Sequence, residues 1–180
     1  LNQPYKISCV ETIIKYCSDS FNICLIDDQS FSKLIPNWSI NMEKIGNPVK
    51  SHIRSLALSK LLYSFGGILL PNSTIVNKNL KPLYDNALKS HDFFCVNMIN
   101  HGDTYMKKNI FPNNKIMGCK KNSPIMKEFL DYLERLIAAD YTSEQDFLKQ
   151  PNRWLYEKHI TNKLFLVAGH FFGILDIHGQ

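Results

Sequence analysis

Residues 53–80 read IRSLALSKLLYSFGGILLPNSTIVNKNL, and this stretch decides the fold. Ile53, Leu56, Ala57, the stem of Lys60 and Leu61 recur at helical spacing. Leu58, Leu62 and Phe65 form a second stripe, so the spacing predicts a helix buried on more than one side. Gly66 and Gly67 end it, because a glycine just past the last turn adopts φ > 0 without a steric penalty. Ile68-Leu69-Leu70 then reads as a short central strand, with Leu69 or Leu70 shielded from solvent, and Pro71 stops its ladder. The polar tip Pro71-Asn72-Ser73 follows at the carboxyl end of that strand, where open α/β sheets place ligands.

On the amino-terminal side, Ser8-Cys9-Val10-Glu11 is a capping box that opens a helix through Ile13, Ile14 and Cys17. Phe21–Ile26 reads as a strand, expected beside 68–70 in the sheet, and closes on Asp27-Asp28. Asp28 is a good N-cap for a short helix carrying Phe31, Leu34 and Ile35. Helix, strand, acidic cap and helix make half of a nucleotide-binding α/β unit. Residues 36–49 form a loop anchored by Trp38 and Met42.

Beyond the tip, residues 79–90 are predicted helical with Pro82 near the first turn, and 93–99 form the next strand. Residues 101–111 are polar and irregular, a loop expected near the active face, and 115–119 are a short strand. Ser123-Pro124 opens the clearest helix, with the stripe Met126, Phe129, Leu130, Leu133, Leu136 and Ile137. Further helices are expected around Phe147 and over 153–160. Residues 164–177 suit a terminal strand pair turning at Gly169 or Gly173. With no repeat or linker, the 180 residues make a single α/β domain, and the opening at LNQPYKIS fits a portion of a longer chain.

Leu62-Tyr63-Ser64-Phe65-Gly66-Gly67-Ile68-Leu69-Leu70, with Lys81-Pro82-Leu83 downstream, resembles sugar-nucleotide glycosyltransferases of the capsular-polysaccharide and mannosyltransferase type. Their segment runs from an aspartate-bearing helix through L-Y-x-x-G-G-I-Y-L-D-x-D to K-P-L. The likeness extends loosely from Phe21 to about Leu136, and Asp27-Asp28 falls where those enzymes carry an acidic turn. It is closest to a divergent branch found in large DNA viruses. The resemblance implies a GT-A-like, mostly parallel twisted sheet flanked by helices. It also implies transfer of a sugar from a nucleotide sugar to a glycan or protein acceptor. The implied donor-site residues are Asp27, Asp28, Arg54, Gly66, Gly67, Asn72 and Ser73. This chain departs from the pattern at two places: Pro71-Asn72-Ser73 replaces D-x-D, and Ser55 stands at the helix aspartate.

Those two carboxylates matter because they hold a divalent ion against the diphosphate, and the ion neutralises the leaving group. Asn and Ser offer neutral oxygens only, so no metal cofactor is expected at the tip. Two functions therefore compete. One is a sugar transferase with a degenerate metal motif. The other is an inactive descendant with a structural or binding role among protein assembly partners, for example in a large DNA virus particle.

Simpler roles stand beside the functional ones. Asp27 and Asp28 can contact a ribose or cap a helix; Arg54 can meet a phosphate or be a surface charge. Glu144 and Asp146 can supply a base or cap a helix. Trp154, beside Arg153, can stack on a sugar or pack in the core.

Composition bounds the rest. The chain carries a formal charge of +5, mostly from lysine, with arginine only at 54, 135 and 153. Scattered lysine without an arginine–aromatic interleave argues against nucleic-acid binding. No window approaches the ~18 apolar residues of a membrane span. Cys9, Cys17, Cys24, Cys95 and Cys119 are odd in number and lack C-x-x-C, which fits buried free thiols in a reducing, cytoplasmic compartment, to which the resemblance adds association with a virion. Asn37 and Asn72 head glycosylation sequons of the kind an Asn-rich chain produces by chance. The six histidines show no zinc spacing.

Overall fold

The computed structural model of the chain describes residues 3–99, 110–139 and 144–173; the side chains of 110 and 144–148 fall outside that description. The elements are α1 (Pro4–Cys17), α2 (Phe31–Leu34), a 3₁₀ turn (Met42–Lys44), α3 (Val49–Phe65), β1 (Gly67–Leu69), α4 (Lys81–Ala87), β2 (Phe93–Ile99), β3 (Ile110–Cys119), α5 (Pro124–Ala138), α6 (Glu144–Ile160), β4 (Phe165–Val167) and a closing 3₁₀ turn (Gly169–Phe172).

The sheet is mixed, in the order β1-β3-β2-β4. β3 pairs antiparallel with both β1 and β2, and β4 pairs parallel with β2. β1, β2 and β4 thus run one way and β3 runs against them. The class is α/β, but the expected mostly parallel sheet gives way to one in which a single pairing is parallel. The physical reason is β3, which returns antiparallel between two strands of like direction.

β2 organises the core. Phe93, Phe94, Cys95 and Val96 are all fully buried, because both faces of the strand are covered. Phe93 and Cys95 face a cluster built from Leu56 and Leu62 of α3, the apolar stripe of α5, and Leu155 of α6. Phe94 and Val96 face Ala87 and Leu88 at the end of α4. The α5 stripe is buried from Met126 to Leu136, with Ile137 partly buried, and Ser123 Oγ caps the helix by accepting from Met126 N–H at 3.3 Å. α3 buries two faces: Leu56 and Leu62 toward the sheet, Ile53 and Ala57 toward Phe31 and Met42. Phe65 is exposed, since the helix ends before that side chain meets a partner.

Several expectations need correction. β1 lies at the sheet edge, not its centre, and Leu69 and Leu70 are half-buried. Both faces of β1 are packed, with Leu69 on one cluster and Ile68 and Leu70 on the other, but its outer edge carries no strand among the described residues. Residues 22–26 form no strand. Phe21 and Ile26 tuck in at either end, while Ile23, Cys24 and Leu25 are exposed. Apolar composition gave that segment its strand-like look; no neighbouring strand supplies a ladder.

α1 starts at Pro4, a full turn before the Ser8 capping box, because proline at the first helical position needs no amide partner. Ser30, not Asp28, stands at the N-cap position of α2 and makes no side-chain capping bond, while the Asp28 carboxylate is drawn to α3. α4 is confined to Lys81–Ala87. β3 is twice the expected length, extending back to Ile110, and residues 101–109 of the predicted loop lie outside the described residues. The two expected helices after 143 are one, running through Pro151, whose ring is buried. Residues 164–177 give one strand and a 3₁₀ turn as far as Gly173, because β4 pairs with β2 instead of folding back on itself. Among the described residues no helix is long and apolar enough to cross a membrane.

Gly118 of β3 sits opposite Phe94 and Ile68, and a Cβ there would overlap the Phe94 ring. Gly118→Ala is expected to destabilise the fold by about 1–3 kcal/mol. Chemical denaturation should show part of that loss restored when Phe94→Leu is added; full additivity of the two changes would refute the clash.

Candidate functional site

α3 hands the chain to β1 through Gly66 (φ 74°) and Gly67 (φ 98°), both in backbone regions that L side chains rarely adopt. A Cβ on Gly66 would stand 2.8 Å from Lys121 N and 3.2 Å from Cys119 O, so the reversal is pressed against the turn between β3 and α5. Both glycines lie at the amino end of β1. Three residues of strand, roughly 10 Å, separate them from the tip.

At the carboxyl end, Pro71–Thr74 form a turn closed by Thr74 N–H donating to Pro71 O at 3.0 Å. The chain then runs along the sheet as a strap to Leu80. α1 steadies that strap: Val76 N–H donates to Thr12 Oγ1 at 3.0 Å, and Asn79 Nδ2 donates to Ser20 Oγ at 2.8 Å. Between the strap and β4 lies a groove of about 890 Å³. Ser73, Thr74, Asn77, Asn79 and Asn86 give it a polar side, and Ile116, Phe165, Phe171 and Phe172 an apolar one. Lys78 is the one charged side chain among the described residues that line it, and none of them is a carboxylate.

A second polar group occupies the same end of the sheet. Leu69 pairs with Met117, and from there β3 continues past the tip. Cys95 pairs with Met117 while Val96 pairs with Asn113, so Asn114, Lys115 and Ile116 are extra residues opposite one step of β2. Such a bulge breaks the ladder and re-aims side chains. Side chains replace the missing bonds: Lys115 N–H donates to Asn113 Oδ1 at 2.8 Å, and Asn114 N–H to Asn152 Oδ1 at 3.3 Å. Asn114 Nδ2 donates to Ser55 Oγ at 3.4 Å. Ile116 of the same bulge lines the groove. Ser55 of α3, Asn114 of β3 and Asn152 of α6 thus gather at the tip end of β1. The Ser55 hydroxyl proton, Asn114 Oδ1 and Asn152 Nδ2 have no further partner among the described residues. Asn114 and Asn152 escape a reading of the sequence. The signal available was Asn113-Asn114, a pair that suits a bulge better than a regular strand.

The two aspartates are otherwise engaged. Asp27 Oδ1 accepts from Ser30 N–H at 2.9 Å and Ser30 Oγ at 2.5 Å, which holds its carboxyl below the usual range. Asp28 receives both arms of Arg54, Nε at 2.6 Å and a terminal NH2 at 2.5 Å, with Lys50 at 3.5 Å. Hydrogen bonding from Arg54 lowers the Asp28 pKa, against a partial desolvation that raises it. The structure therefore joins Asp28 to Arg54 and sets Ser73 on the groove. Asp27, Asp28, Arg54 and Asn72 are not among the groove-lining residues.

Trp154 packs on Phe129 and Tyr132, with ring centroids at 5.1 and 5.9 Å, and Lys158 lies over its ring. The side chains of Glu144 and Asp146 lie outside the described residues. All five cysteines are free thiols, and four are buried; burial pushes the Cys119 thiol up to about 12. Among the described residues no three His, Cys, Asp or Glu side chains come together to hold a metal. The groove's Ser, Thr and Asn oxygens fit a hard divalent cation poorly, since none brings charge. No family model matches the chain, and neither a curated protein nor a solved structure matches it.

The Asp28–Arg54 pair has a defined pH signature. The Asp28 carboxyl is depressed in the folded state, so its stabilisation is fully present above the ordinary value of 3.8 and is lost as pH falls through the lower folded value. Because both groups are partly exposed, the effect is about 1 kcal/mol or less. Denaturation of the wild type and Asp28→Asn should differ by that amount at pH 7 and converge once the pH has fallen through the depressed folded value; a gap that persists in strong acid would contradict the assignment.

Proposed function

We propose that this chain is a glycosyltransferase-like domain that binds a nucleotide sugar at the carboxyl end of β1 without a divalent cation. The observation that carries this reading is the convergence of Ser55, Asn114 and Asn152 from three elements, with hydrogen-bonding capacity unspent among the described residues. Hydroxyl-rich ligands donate and accept at every hydroxyl, and amide and hydroxyl side chains answer in both roles. A groove beside Ser73 lies toward the same end of the sheet, with apolar walls and a few polar groups, although Ser55, Asn114 and Asn152 do not line it. Three co-directional strands with helices on both faces support a GT-A-like architecture, and the helix–Gly-Gly–strand segment supports the family likeness.

A second reading has its own observation. Asp27 and Asp28 are held by Ser30 and Arg54, and no carboxylate lines the groove among the described residues. That supports a domain that binds its sugar ligand without transferring it, in a structural role within a protein assembly such as a large DNA virus particle. Four buried free thiols are in keeping with a reducing compartment for either reading.

Calorimetric titration with uridine and guanosine diphosphate sugars separates the readings when paired with a hydrolysis assay. Binding at sub-millimolar concentration, unchanged by Mn²⁺ or chelator and weakened at least tenfold by Asn114→Leu, is the expected result. Sugar release or transfer would exclude the binding-only reading. No binding at millimolar concentration would defeat the nucleotide-sugar proposal, and Mn²⁺-dependent binding would defeat its metal-free form.

A further inference from the structure

We infer that Arg54 and Lys50 form a latched anion site, in which Asp28 occupies the place of a ligand phosphate and is displaced by a diphosphate group. The inference rests on reading this end of the sheet as the ligand's side: Arg54 precedes Ser55 on α3, and Ser55 touches Asn114. Lys50 and Arg54 are spaced i, i+4 in the first half of α3, so their side chains share one face. Both reach a single carboxylate, leaving the cluster of three with one net positive charge. The paired Nε and NH2 contacts to the two Asp28 oxygens are the fork geometry that a guanidinium also offers to phosphate.

Two features make the latch releasable. The Arg54 side chain is 43% exposed and that of Asp28 22%, so the pair is open to a competing anion and adds little net stability. The segment leading to Asp28 is lightly held, since residues 22–26 make no backbone hydrogen bond among the described residues. Asp28 itself lies inside the turn closed by Asp27 and Ser30, with Phe31 in the core just beyond. Release therefore takes a rotation of the Asp28 side chain, with the turn and the packed part of the fold left in place. A diphosphate brings several negative charges where the carboxylate brings one, so it competes well for two cations.

The test uses inorganic pyrophosphate, which is independent of any sugar or base. Calorimetry on Asp28→Asn should show pyrophosphate binding at least tenfold tighter than in the wild type, and Asp28→Asn with Arg54→Gln should lose that gain. Unchanged affinity in Asp28→Asn overturns the latch, as does a gain that survives Arg54→Gln. Should Asp28→Asn fold poorly, the wild type answers by NMR. Pyrophosphate should move the Arg54 Nε and Asp28 carboxyl resonances together, and saturation elsewhere with both unmoved also overturns it. If nucleotide sugars fail to bind while pyrophosphate behaves as expected, the latch stands and the ligand is another phosphorylated compound. If nucleotide sugars bind equally to the wild type and Asp28→Asn, the latch fails and the sugar site stands.

Discussion

The reversal at Gly66 and Gly67 is the constraint on which the rest depends. α3 must stop, turn and enter β1 while its backbone passes against the turn between β3 and α5, with no room for a Cβ at Gly66. That contact fixes β1 beside β3 in the register Gly67↔Cys119 and Leu69↔Met117. The register in turn sets where β1 ends, and so where Pro71–Ser73 emerges relative to the bulge in β3. A helix that ended elsewhere would deliver the tip to a different neighbour. The glycines act on the candidate site from the far end of the strand, through position and not through contact.

Much of this was legible in the sequence where one periodicity ran long. The stripe on α5, the Ser123 cap and the two-faced burial of α3 follow from spacing alone. β2 was legible because both its faces are apolar, from Phe93 through Val96. What failed was pairing. Ile68–Leu70 and 21–26 have similar apolar character, yet one pairs along an edge and the other pairs with nothing in the sheet. Composition reports whether a strand can be buried and is silent on which neighbour supplies the ladder. Ser8–Glu11 was misleading for another reason: a capping pattern inside a helix loses to a proline that starts the helix earlier.

The candidate site was half legible. Ser73 lies on the groove, as a tip after a strand should. Asn114 and Asn152 were hidden because their meeting depends on three extra residues in β3 and on α6 running unbroken through Pro151. Asp28 and Arg54 were both visible as charges, and only the fold shows that each is the other's partner. The outcome is a set of neutral donors and acceptors, and no carboxylate lines the groove among the described residues. Such a set favours recognition of hydroxyls over grip on a cation.

The central claim is that Ser55, Asn114 and Asn152 form a ligand contact and not merely a brace for the bulge. Side-chain amide NMR of Asn114 and Asn152 during titration with a uridine diphosphate sugar, in the presence of chelator, tests it most directly. Saturable shifts at both amides, together with the Ser73 backbone amide, are the predicted result. A ligand that saturates elsewhere on the protein and leaves both amides unmoved would contradict the account.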